Sequence, residues 1–111
     1  MELKQINSEQ LYQMISENPQ NIVVIDVREN DEFLSGHIKE AYHLPLTSFT
    51  VEKLPNLNNK KVIFYCRSGY RSQVAAEHVI ENISNLDVFN LKGGIIGWSH
   101  AGFAIETKNS I

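Results

Sequence analysis

KVIFYCRSGYRSQVAAEHVIENI, residues 61–83, decides the fold, because three kinds of local structure follow one another inside it. Residues 61–65 hold, after Lys61, a short, continuous, β-branched and aromatic apolar run, the pattern of a strand covered on both faces, as in a parallel sheet. Residues 66–69 are too polar and too rich in turn formers to extend that strand. From Tyr70 onward the chain reads as a helix, with Val74, Ala75, His78, Val79 and Ile83 placed to share one face. Strand, tight turn and helix in that order form half of a βαβ unit.

Working outward, NIVVIDV (21–27) repeats the buried-strand pattern and ends at Asp26, and LDVFNL (86–91) is a third such run. SEQLYQMISEN (8–18) offers Ser8 as a helix N-cap and Leu11, Met14 and Ile15 as an apolar stripe, with Asn18-Pro19 as the stop. ENDEFLSG (29–36) reads as a short helix capped by Asn30 and ended by Gly36. SFTVEKLPNLNN (48–59) reads as a short helix leading into loop. A last short helix starts at Gly93-Gly94, includes Trp98 and ends at Gly102. Short apolar runs alternating with helices predict an α/β fold, a central parallel sheet with helices on both faces.

The chain has 111 residues, 42% apolar and 21% charged, with a formal net charge of -3. That length suits one domain spanning 1–111 with one core. The acidic balance argues against nucleic-acid or anionic-membrane binding, so any anion site must be local. One cysteine allows no internal disulfide and no C-x-x-C pair. No window has the run of apolar residues that a membrane span needs, and the N-terminus carries no apolar leader. The expectation is a soluble, cytoplasmic protein.

That single cysteine, Cys66, falls where a strand stops and a helix starts, the edge of an open α/β sheet where ligands bind. A lone cysteine beside an apolar strand is most often a small core hydrophobe. Its neighbours tilt the reading towards a nucleophile. Residues Cys66 to Arg71, with Gly69 inside the turn, can curl so that successive amides aim at one centre, and such a nest favours thiolate over thiol. Arg67 and Arg71 add positive charge with a donor fork suited to an oxyanion. Asp26 and Arg28, after the first buried strand, read as structural support, with Arg28 pairing Glu29 or Glu32 to hold the turn. His37, His43, His78 and His100 have no metal-ligand spacing, so neither a metal nor another cofactor is expected.

Three segments together resemble the single-domain rhodanese, or thiosulfate sulfurtransferase, family across nearly the whole chain. VIDVRENDEFLSGHIKEAYHLPL (24–46) is similar to its first signature, VIFYCRSGYRS (62–72) to its active-site strand and loop, and LKGGIIGWSHAGFAIE (91–106) to its terminal signature. The resemblance implies the rhodanese fold and a two-step, ping-pong sulfur transfer through a Cys66 persulfide. The donor is a small sulfur-containing anion such as thiosulfate, and the acceptor is cyanide or a thiol. It also implies that the amides of Arg67, Ser68, Gly69, Tyr70 and Arg71 cradle the persulfide, with Arg67 placed to bind anionic substrate. His37 then fixes a turn, Trp98 fills the core, and Tyr70 stands exposed at the loop crest, where it either shapes access to the sulfur or does nothing.

Related phosphatase and arsenate-reductase branches carry five residues between cysteine and arginine, whereas four separate Cys66 from Arg71 here, a ring that fits sulfur better than a tetrahedral oxyanion. Two further readings share the fold: a persulfide carrier served by a partner protein, and a binding module without catalysis. The FAIE ending (103–106) and His43 depart from the family's usual glycine-hydrophobic-proline and asparagine.

Overall fold

The computed structural model describes residues 2–107. Seven strands and four α-helices follow in the order β1 (Lys4–Ile6), α1 (Ser8–Glu17), β2 (Ile22–Asp26), α2 (Asn30–Ser35), β3 (His37–Ile38), β4 (Tyr42–His43), β5 (Lys61–Tyr65), α3 (Tyr70–Asn82), β6 (Asp87–Leu91), α4 (Gly94–His100) and β7 (Ile105–Glu106). Five strands form one sheet in the order β1-β6-β5-β2-β4, and every pairing within it is parallel. β3 and β7 form a separate antiparallel pair. The three strands expected from their apolar runs are the three central ones; the outer strands β1 and β4 and the small second sheet were not anticipated.

Parallel strands need crossovers that cover both faces, and the side-chain alternation of β5 shows how the two sides are filled. Val62, Phe64 and Cys66 point into a layer closed by Ala75, Ala76 and Val79 of α3. Ile63 and Tyr65 point the other way, against Leu11 of α1 and Ile95 and Trp98 of α4. Trp98 is a core residue, and its indole N–H donates to the Ala104 carbonyl. The sheet is thus flanked by helices on both faces, as the sequence indicated.

Local details differ from the sequence reading where capping side chains compete. α1 is capped by Asn7 and not Ser8: the Asn7 side chain accepts from the Gln10 N–H while the Gln10 side chain accepts from the Asn7 N–H. That reciprocal box satisfies two otherwise orphan donors, and Ser8 has no such partner at Leu11. Likewise α2 is capped by Glu29, paired reciprocally with Glu32, and not by Asn30. On α3 the buried stripe is Ser72, Ala75, Ala76 and Val79, which leaves Val74 and His78 exposed. The segment read as a short helix before β5 holds no α-helix, only the end of one 3-10 turn, Leu46–Ser48, and a second, Val51–Lys53.

Candidate active site

β5 ends at Tyr65 and α3 begins at Tyr70, so Cys66 to Gly69 form the connection at the carboxyl edge of the sheet. Gly69 turns the chain with φ +115°, a conformation that side chains with a Cβ rarely adopt. The turn brings donors onto the sulfur. The Gly69 N–H lies 3.2 Å from Cys66 Sγ and the Ser72 hydroxyl 3.4 Å from it. Burial pushes the Cys66 thiol up, but hydrogen bonds from the Ser72 side chain and from the amides of Ser72, Gly69 and Ser68 outweigh it and hold the thiol below its ordinary value.

The sulfur is buried: Cys66 is 1% accessible and belongs to the core layer under α3. Burial and thiolate stabilisation are combined at one atom, because β5's alternation carries Cys66 onto the α3 face while the N-terminus of α3 supplies the donors.

The first residues of α4 fix the other side of the loop. The N–H of Ile95 donates to the Cys66 carbonyl at 2.9 Å and that of Ile96 to the Arg67 carbonyl at 3.2 Å. Gly94 must be glycine: a Cβ there would stand 2.5 Å from the Cys66 oxygen and closer still to that of Arg67. Loop and helix pack backbone to backbone.

The two arginines are not equivalent. Arg67 is exposed on the loop. Arg71 is engaged by Glu32 of α2 through two parallel bonds of 2.8 and 2.9 Å. This fork lowers the Glu32 carboxyl to about 2 and raises the Arg71 guanidinium, an effect the Cys66 charge adds to. Arg71 is therefore a charge-compensated strut between α2 and α3 rather than a free cation at the sulfur. Of the two exposed crest residues, Ser68 contributes its amide to the thiolate, and Tyr70 is 77% accessible.

Asp26 and Arg28 are buried together beside this edge. Arg28 binds Asp26 through Nε and a terminal nitrogen, donates to the Gly36 carbonyl, and lies over the Tyr65 ring. The expected pairing with Glu29 or Glu32 does not form, because Asp26 on the same turn is closer and fully buried and Glu32 is taken by Arg71. The His37 Nδ1–H donates to the Phe33 carbonyl and its ring stacks on the Phe33 ring, and His43 stacks on the same ring, so both fix the α2 turn. Among the described residues no cluster of His, Cys, Asp or Glu could hold a metal ion.

The sequence reading missed the roles of Ser72 and Asn90, and it gave Glu32 the wrong arginine as partner. Ser72 lies six residues past Cys66, but nothing local distinguishes its hydroxyl from that of Ser68. Asn90 carried the better signal, an amide inside an otherwise apolar central strand. It is 2% accessible and bonds to Ser72, Gln5 and the Gly69 carbonyl.

The family model for the rhodanese-like domain matches residues 7–101. A thiosulfate sulfurtransferase of Haemophilus influenzae is 32% identical over 108 residues, covering 96% of this chain and 98% of the relative. An uncharacterised Synechocystis protein is 34% identical over 80% of this chain, which spans 50% of that relative's length. Among solved structures, a rhodanese-related protein of Thermoplasma volcanium superposes with a TM-score of 0.80 at 27% identity, covering 95% of this chain and 99% of that one.

Proposed function

The chain belongs to the rhodanese-like family, and on that premise we propose that it is a sulfurtransferase whose nucleophile is Cys66. The observation that carries this reading is the convergence of the Gly69 amide and the Ser72 hydroxyl on a buried Cys66 sulfur at the N-terminus of α3. Such a site stabilises a sulfur anion, whether thiolate or persulfide. The curated relative named as a thiosulfate sulfurtransferase and matched along nearly its whole length supports the same chemistry.

In the first half-reaction the Cys66 thiolate attacks the outer sulfur of thiosulfate. The sulfur–sulfur bond of the donor breaks, its electron pair leaves with sulfite, and the transferred sulfur remains on Cys66 as a persulfide anion. In the second, a thiol or cyanide attacks that outer sulfur, the new bond breaks, and Cys66 leaves as thiolate. The same donors that stabilise the attacking thiolate stabilise the leaving one. Exposed Arg67 supplies the positive charge that draws an anionic donor to the loop, since the charge of Arg71 is compensated by Glu32.

Intact-protein mass spectrometry after incubation with thiosulfate tests this. The expected product carries the mass of one added sulfur, lost again on adding cyanide and never gained by Cys66→Ser. Unchanged mass in the wild-type protein, or full transfer activity in Cys66→Ser, overturns the proposal.

A further inference from the structure

The Ser72 hydroxyl has one proton and two acceptors within reach. Its Oγ stands 2.6 Å from Asn90 Oδ1 and 3.4 Å from Cys66 Sγ, and Ser72 and Asn90 are both buried. A hydroxyl donates once, so the two contacts cannot both be donations from Ser72. The shorter one takes the proton when the sulfur is a thiol, and the thiol's own S–H can then donate to Ser72 Oγ. A thiolate has no proton to give, and the Ser72 O–H must turn to it.

Asn90 is held in the orientation that makes it a competitor. Its Nδ2 donates to the Gly69 carbonyl at 3.1 Å, an atom that can only accept, so Oδ1 must face Ser72. The same Nδ2 donates to Gln5 Oε1 at 3.0 Å, Gln5 Nε2 to Gln73 Oε1 at 3.2 Å, and Gln73 Nε2 to the Glu77 carboxylate at 3.3 Å. Donation thus runs one way, from Ser72 outward to a surface carboxylate. Aligned bonds polarise one another, which strengthens the pull of Asn90 on the Ser72 proton.

We propose that Asn90 is a positioning residue that competes with Cys66 for the Ser72 proton and so sets how readily the sulfur ionises and leaves. This rests on the reading of Cys66 as the sulfur-carrying nucleophile. In the second half-reaction the bond between Cys66 Sγ and the outer sulfur breaks, its electron pair returns to Sγ, and the Ser72 O–H rotates from Asn90 to the new thiolate. No proton leaves Ser72 and none is consumed. The charged groups around this site are Arg71, neutralised by Glu32, Arg67 on the loop, the internally paired Asp26 and Arg28 at the end of β2, and Lys92 just past β6, which lines one cleft with Ser68, Gly69 and Asn90. α4 presents Gly94 and Ile95, and β6 presents Asn90, none of them charged.

The test is the pH profile of Cys66 alkylation by iodoacetamide, without any sulfur donor, in wild type, Asn90→Leu, Ser72→Ala and the double variant. Asn90→Leu frees the Ser72 proton and shifts the midpoint to lower pH, by a factor of about three in proton concentration, because ionisation no longer has to break the neutral Ser72–Asn90 hydrogen bond. Ser72→Ala shifts it upward, Ser72→Thr leaves it in place, and the double variant matches Ser72→Ala because no proton remains to compete for. A midpoint that Asn90→Leu does not move, or moves equally with and without the Ser72 hydroxyl, overturns the proposal. In the wild-type protein, the side-chain carbonyl carbon resonance of Asn90 must titrate with the Cys66 midpoint. A resonance indifferent to that titration overturns it as well. Alkylation requires no sulfur transfer, so this result and the sulfur-loading result can fail independently.

Discussion

Replacing Gly94 with alanine separates backbone strain from a steric clash at the loop, because Gly102 provides the control in the same segment. Both glycines have positive φ, +58° at Gly94 and +88° at Gly102. An L side chain in that region costs about 1–2 kcal/mol. At Gly102 nothing lies within 4 Å of the added Cβ, so that strain is the whole cost. At Gly94 the Cβ meets the carbonyls of Cys66 and Arg67, the two acceptors that Ile95 and Ile96 bind. Backbone cannot rotate away as a long side chain would, so α4 and the loop must separate. Losing two hydrogen bonds at about 0.5–1.5 kcal/mol each brings the total for Gly94→Ala to about 2–5 kcal/mol. Displacing the loop also moves the donors off the sulfur, and a misplacement of about 1 Å commonly costs on the order of 100-fold in rate. Equilibrium urea unfolding of both variants, with the rate of sulfur loading from thiosulfate, measures both effects. If the two variants agree in stability to within about 0.5 kcal/mol, or Gly94→Ala loads sulfur at the wild-type rate, the account of the loop is wrong.

Asp26→Asn keeps an acceptor for the Arg28 N–H but leaves a buried guanidinium without its counter-charge, and should cost about 3–5 kcal/mol in denaturant unfolding. Replacing the pair together, Asp26→Leu with Arg28→Met, should recover much of that loss. Glu32 ionises at about 2 in the folded protein against 4.5 as its ordinary value, so its pairing with Arg71 contributes stability above about 4.5 that is lost as the pH falls towards 2. Wild type should lose stability more steeply than Glu32→Gln through that window, by no more than about 1 kcal/mol because both side chains are partly solvated. Iodoacetamide should alkylate folded Cys66 with a midpoint below the ordinary 9.0, and the protein unfolded in urea should revert to it.

How much could be read from the sequence depended on whether a feature was local. The three central strands were legible because each is a continuous apolar run, and Cys66 was legible as the residue at which one of them stops. β1 was not, because only Ile6 of its three residues is buried and its strand character comes from pairing with β6. The cap of α1 was decidable in principle: Asn7 has Gln10 three residues on, and Ser8 has Leu11. Glu32 was beyond local reach, since its partner Arg71 is 39 residues away. The sequence supplies an arginine at the end of the loop, and only the fold shows that its charge is already spent on α2.

That compensation changes what the cationic loop can do. Two arginines beside a cysteine suggest a thiolate held mainly by ion pairing, yet the one fixed guanidinium is bound to a carboxylate and the other is exposed, where solvent screens it. What remains next to the sulfur is a set of neutral donors, the amides of Ser68, Gly69 and Ser72 and the Ser72 hydroxyl. Neutral donors fixed by backbone geometry act over one bond length and do not depend on ionic strength. Thiolate stability at Cys66 should therefore be insensitive to salt, whereas capture of an anionic donor through exposed Arg67 should weaken as salt rises. On the proposed function, the two halves of the problem, holding a sulfur anion and attracting one, fall to different atoms. The old choice between a core cysteine and a reactive one dissolves for the same reason: burial removes water from the sulfur, and fixed dipoles replace it.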